Sequence, residues 1–201
     1  MTAEPRLLTD IYSQLSEFFK EPTEEFADDI ASGRVLRFFK NAFSLLNIDS
    51  SLFLGLKIPG DVFKTVSDEY RKLFLGPIPP YIVPVESVYK RWSLSSECTL
   101  GIAGERGYLM GDPALDMIRR YQESGVVVPD LYASMPDHIA LELEYMAYLC
   151  RNAPEEEQRE FRANHFDWII DLADEVAGYD GTGFYSTAVV MADLINRSLW
   201  E

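Results

Sequence analysis

Residues Glu69–Tyr89 read EYRKLFLGPIPPYIVPVESVY. An apolar stripe of Val62, Phe63, Val66, Tyr70, Leu73 and Phe74 runs into this stretch at the three-and-four spacing of a helix. Gly76-Pro77 stops that helix. Prolines at 77, 79, 80 and 84 then bar both helix and interior strand, because each fixes φ and lacks an N–H. The segment is too aliphatic and aromatic to be an ordinary solvated loop. A stiff, apolar, irregular segment between helices is what a protein lays along a groove wall.

Helical periods continue on both sides. Leu7, Leu8, Ile11, Tyr12, Leu15, Phe18 and Phe19 make one wide stripe, with Thr2 as a cap and Pro5 in the first turn. Pro22 ends that helix and opens an acidic second one around residues 23–31. Gly33 separates a third, with Val35, Leu36, Phe38, Phe39, Phe43 and Leu46 inward. Pro59-Gly60-Asp61 is a stop and a cap. Asp112-Pro113 opens a helix that stops at Gly125. Ser134–Asp137 reads as a capping box for a helix with Ile139, Leu143, Met146 and Leu149 on one face. A further helix from about residue 154 carries Phe161, His165, Trp168, Ile169, Leu172 and Val176, and a last one spans about 182–199. Val126–Pro129 reads as a linker, since no partner strand is evident. The pattern predicts an all-α single domain of about eight helices, with room for an N-terminal lobe (about 1–125) and a C-terminal lobe (about 136–201) joined by a hinge near 126–135.

Composition narrows the function. The 201 residues are 47% hydrophobic and carry a formal charge of −15, with a pI near 4.5. That argues against nucleic acid and against an anionic membrane surface, and it favours a cationic partner. No run approaches the ~20 apolar residues of a membrane span. The N-terminus lacks a basic region followed by an apolar core, so it does not read as a secretory signal. Cys98 and Cys150 stand alone without CxxC spacing and read as reduced thiols, which points to the cytoplasm.

Three groups of residues carry a resemblance. Glu69-Tyr70-Arg71-Lys72-Leu73-Phe74, Gly76-Pro77 and Pro84-x-Glu86-Ser87-Val88-Tyr89 resemble the central motif of the TorD/DmsD/NarJ family. Pro136-Asp137-His138-Ile139-x-x-Glu142-Leu143-x-x-Met146-x-x-Leu149 is similar to a second family motif, and Tyr121 and Gly125 match the residues before its linker. The resemblance implies a helical cytoplasmic chaperone for molybdenum-cofactor oxidoreductases that binds the twin-arginine leader of its client's catalytic subunit. It implies that residues matching Asp137 and His138 take part in leader recognition, and that a monomer or a lobe-exchanged dimer forms. Two departures stand out. Lys72 occupies the place of the motif's usual second arginine and lacks the bidentate fork. Ile78–Val83 is longer and more apolar than the family's compact proline turn.

A leader offers two arginines followed by an apolar helix, so its receptor needs carboxylates and a hydrophobic trough. Glu86, Asp137 and Glu142 are the carboxylate candidates. Tyr70, Phe74, Pro84, Ser87, Val88 and Tyr89 are expected along the groove, with Leu141 or Tyr145 as further walls. His138 and Glu142 share a helix face and can hold each other or a ligand. Core packing is the plainer reading for Tyr70 and Phe74, and helix capping is the plainer one for Asp137. No catalytic residue, cofactor or metal centre is expected: there is no HExxH, ExxH pair, GxSxG elbow or Walker spacing. His165, on an apolar stripe, reads as a satisfied core histidine. The alternatives are a nitrate-reductase-type assembly chaperone for a non-exported subunit and, from another class, a small helical metal-dependent enzyme using His138, Glu142 and His165.

Overall fold

A computed structural model describes residues 5–54, 56, 60–76, 79–179 and 181–199. The chain winds through α1 (Pro5–Glu17), α2 (Glu24–Ala31), α3 (Arg34–Leu45) and α4 (Val62–Tyr70), which continues as a π turn over Arg71–Leu75. Then come α5 (Glu86–Tyr89), α6 (Asp112–Ser124), α7 (Ile139–Asn152), α8 (Glu155–His165), α9 (Ile169–Ala177) and α10 (Phe184–Ser198). No strand forms among the described residues. A single antiparallel bridge pairs Val85 with His138.

The all-α expectation holds, and most boundaries fall where the capping chemistry puts them. The Thr23 side chain accepts from the Phe26 N–H, and Asp61 from the Lys64 N–H. Gly33 and Gly125 sit at helix ends with φ of 71° and 69°, where a side chain would be strained. Thr2, Pro59 and Pro77 lie outside the described residues. Val126–Pro129 is irregular, as a linker should be.

Two refinements raise eight helices to ten. The one-turn α5 is too short to show a period in sequence. The expected long helix after residue 154 divides at Phe166–Trp168. His165, Phe166, Trp168 and Ile169, on both sides of the break, are all buried. At the break the Trp168 indole N–H donates to the His165 carbonyl at 2.8 Å. A third difference concerns α7. Its cap is His138, whose Nδ1 accepts from the Ala140 N–H at 3.2 Å, while Ser134 is exposed.

The first helix lies along α7, α10 packs on α9, and α2 rests on α3 and α4. One hydrophobic core draws on residues before and after the 126–135 segment, from Tyr12 and Phe39 to Trp168 and Tyr185. Three of its buried tyrosine hydroxyls are paired with groups from other elements. Tyr12 donates to Asn196 Oδ1 at 2.8 Å, Tyr185 to the Val66 carbonyl at 2.9 Å and Tyr121 to the Pro136 carbonyl at 2.9 Å.

Candidate functional site

A one-turn helix cannot hold itself, because nucleation costs more than one turn returns. The start of α7 holds α5 instead. The Asp137 carbonyl accepts from the Glu86 N–H at 3.0 Å, and the Pro84 carbonyl accepts from the Ile139 N–H at 2.9 Å. The Asp137 carboxylate accepts from the Ser87 N–H at 2.7 Å and from the Ser87 hydroxyl. Asp137 thus caps a helix other than the one it precedes. Ser87 Oγ also accepts from the Gly111 N–H at 3.2 Å. Gly111 presses so closely on Trp92 that a Cβ there would lie 2.6 Å from the Trp92 carbonyl oxygen.

Behind this joint sits a buried cluster of ionisable groups. His165 stands between two carboxylates: Nδ1 is 2.7 Å from Glu86 Oε2, and Nε2 is 3.0 Å from Asp116 Oδ2. Lys90 Nζ lies 2.7 Å from Glu86 Oε1 and 2.5 Å from Asp167. Arg120 joins Asp116 at 2.6 Å to Glu160 at 3.0 Å. Glu142 is fully buried, and neither of its oxygens has a hydrogen-bond donor.

The protonation pattern follows from these contacts. Burial and the Glu86 charge push the Glu142 carboxyl well above the carboxylate range. Burial would raise Glu86 too, but the His165 contact, with Glu142 and Lys90, holds it below its ordinary value. Burial opposes the His165 imidazolium, yet the bonds to Asp116 and Glu86 outweigh it and raise the ring's pKa. The His165 bond, with Arg120 and Arg119, keeps Asp116 well below the usual range. Asp137 is raised by burial against its two Ser87 bonds. His138, buried with its ring 5.0 Å from that of Tyr132, is pushed down to about 4 by burial alone and is neutral.

Glu86 and His165 form the floor of a cleft of about 520 Å³. Its walls mix charges: Lys90, Arg91, Arg106, Arg119 and Arg120 against Asp112, Asp116, Glu160 and Asp167. A largely apolar hollow of about 140 Å³ is lined by Tyr121, Val126–Pro129, Leu141, Tyr145 and Tyr148, with Glu144 at its edge the one charged group among the described residues there. The two share α6, since Arg120 lines one and Tyr121 the other. Val127, in the hollow's lining, and Leu131, four residues further along the chain, are 88% and 77% exposed.

Glu86, Ser87, Asp137, His138 and Glu142 are brought together and are all inside the protein, as is Pro84. Tyr70 is buried 5.3 Å from Phe74 and 6.1 Å from Tyr185, and its hydroxyl donates to the Phe19 carbonyl. Phe74 and Val88 are half-buried. Half-buried Tyr89 stacks on Trp168 and donates to Glu175 at 2.5 Å. The trio named for a metal-dependent enzyme does not assemble as named: Glu86 stands where His138 was expected, beside Glu142 and His165. His138 turns its Nδ1 onto its own helix. Lys90, Asp116 and Arg120 were not singled out in sequence. Their i,i+4 spacings, Glu86–Lys90 and Asp116–Arg120, were the available signal.

Residues 45–177, well over half of the chain, match the family model described as "Nitrate reductase delta subunit". The chain belongs to this family. The matched span includes both sequence motifs, the Asp137–Ser87 joint and every residue of the buried cluster. A relative from Shewanella pealeana, described as "Chaperone protein TorD", is 30% identical over 83 residues, which are 41% of this chain and 38% of the relative. The match therefore spans well under half of that relative's length. A solved structure of a candidate redox enzyme maturation protein from Archaeoglobus fulgidus superposes with a TM-score of 0.55 at 18% identity, covering 93% of each chain. That likeness concerns the fold. No helix among the described residues is long and apolar enough to cross a membrane.

Proposed function

We propose that the protein is a cytoplasmic chaperone of redox-enzyme maturation. It binds the N-terminal, twin-arginine leader of a molybdenum-cofactor oxidoreductase's catalytic subunit and delays export until the cofactor is in place. No bond is made or broken. The observation that carries the reading is the family match across both motifs, together with a charged cleft and an apolar hollow on the two sides of α6. These are the two chemistries a leader presents.

In this reading Glu86, Ser87, Asp137, His138 and Glu142 act from beneath the surface. They fix the cleft floor and the angle between α5 and α7. Half-exposed Glu160 and Asp167 meet the arginines, and Val127, Leu131 and Tyr148 meet the apolar segment. Binding is burial of an apolar helix plus charge-assisted hydrogen bonds, micromolar or tighter.

The test is calorimetric titration with leader peptides, each beside an Arg-Arg→Ala-Ala control. Saturable binding is expected, weakened about tenfold or more in the control and in Glu160→Lys or Asp167→Lys protein. Binding indifferent to the arginines and to both substitutions would overturn the twin-arginine reading. It would favour the second one, assembly of a non-exported subunit, to which the family's description as a nitrate reductase delta subunit points.

A further inference from the structure

The buried cluster has one feature that packing does not explain. Glu142 is fully buried on α7 and has no donor, and it faces a second glutamate and a histidine nitrogen. Two carboxyl groups lie side by side inside a protein only with a proton or a cation between them: a protonated Glu142 donates to Glu86, and a bound cation would take that proton's place. One ligand atom each from Glu86, Glu142 and His165 lies within 4.8 Å of the others. They come from three elements, α5, α7 and α8, so the grouping is made by the fold and not by one helix face.

We propose that Glu86, Glu142 and His165 form a binding site for one divalent transition-metal ion, with zinc as the reference occupant.

The surroundings have the layout of a metal site. His165 would ligate through Nδ1, and its Nε2 is already fixed by Asp116 at 3.0 Å. A carboxylate on the far nitrogen is the usual outer partner of a metal-bound imidazole, where it sets the tautomer and raises basicity. Asp116 is in turn held by Arg119 and Arg120. Glu86 offers Oε2, because its Oε1 is 2.7 Å from Lys90 Nζ. It is therefore a one-oxygen ligand. One imidazole and two carboxylates suit zinc and its first-row neighbours more than magnesium or calcium, which prefer all-oxygen shells. Three protein ligands leave a fourth position, and Glu86 and His165 both line the cleft through which an ion and its water enter.

The fit is close. Ligands about 2.0–2.1 Å from zinc in a tetrahedral array stand roughly 3.3 Å apart. The Nδ1–Oε2 separation of 2.7 Å would open by a fraction of an ångström, a rotamer-scale adjustment. His138 takes no part, since its Nδ1 caps α7.

The test uses the full chain, stripped with a chelator and titrated with Zn²⁺ alone against a competing chromophoric chelator. Cobalt(II) absorption serves as a second probe. Wild-type protein should bind one Zn²⁺ per chain and give a visible Co²⁺ spectrum. Glu142→Gln keeps the shape and removes the anionic ligand; it should weaken Zn²⁺ at least tenfold and abolish the spectrum. Asp116→Asn removes the outer partner without touching a ligand and should weaken Zn²⁺ about 10–100-fold. Glu156→Gln, an exposed control on α8, should change nothing. Absence of a one-to-one site overturns the proposal, as does binding that neither Glu142→Gln nor Asp116→Asn weakens. No peptide enters the assay, so its failure leaves the leader-binding reading standing, and failure of that reading leaves this one.

Discussion

At the scale of single residues, the polar groups of the two motifs are buried, and each does a different task. Asp137 caps α5, Ser87 links α5 to Gly111, His138 caps α7 and Glu86 neutralises His165 and Lys90. Replacing Asp137 or Glu86 by alanine therefore perturbs folding before it reports on binding, which is why the binding test uses rim residues. His138 gives a pH signature. Its folded pKa is about 4, below the ordinary ~6.5, so the unfolded chain takes up the proton first as pH falls. The contribution is complete above about pH 6.5 and is lost progressively down to about pH 4, amounting to at most ~3 kcal/mol. His138→Asn retains a capping oxygen and has nothing to titrate. Urea melts at pH 7 and pH 4.5 should show a smaller loss of stability for this variant than for wild type; equal losses would refute the assignment.

At the scale of elements, the decisive piece is the shortest. α5 has one turn and owes its place to α7 and to the backbone contact between Gly111 and Trp92. The Asp112 N–H donates to the Trp92 carbonyl at 2.7 Å, so neither backbone can withdraw from the other. A methyl group at Gly111 would meet that carbonyl directly. Gly111→Ala should cost about 1–3 kcal/mol as overpacking against unyielding backbone. It should also loosen the cleft, read as faster hydrogen exchange of the Ser87 and Asp112 amides. A variant as stable as wild type would show that the joint is softer than its geometry implies.

At the scale of the whole molecule, contacts tie the ends of the chain together. Tyr12 on α1 reaches Asn196 on α10, and α1 lies along α7 beyond the 126–135 segment. Tyr12→Phe leaves a buried amide oxygen without its donor and should cost about 1–2 kcal/mol. Thermal melts followed by tryptophan fluorescence and by far-ultraviolet circular dichroism should still coincide, as one cooperative unit requires. Separate transitions would instead show two lobes that unfold independently. The charge of −15 acts at this scale as well: in the proposed function it would draw a basic leader inward, although salt screens it beyond about 8 Å.

Helices, their stripes and most of their ends were legible in the sequence. They rest on local rules: a period of 3.6, a side-chain oxygen at Thr23 or Asp61, a glycine at 33 or 125. The stretch Glu69–Tyr89 likewise announced that something other than helix packs there. Tertiary structure alone decided what its polar residues do. Asp137 looks like the cap of its own helix and serves α5, 50 residues away. The stripe through His165 and Trp168 looks unbroken, yet one helix ends at His165 and the next begins at Ile169, with the Trp168 indole bonded to the His165 carbonyl. Glu86, Asp116, Glu142 and His165 lie on four helices, and nothing in their spacing says that they meet. Local rules depend on neighbours along the chain. Burial and the pairing of charges depend on neighbours in space, which exist only once the helices have packed.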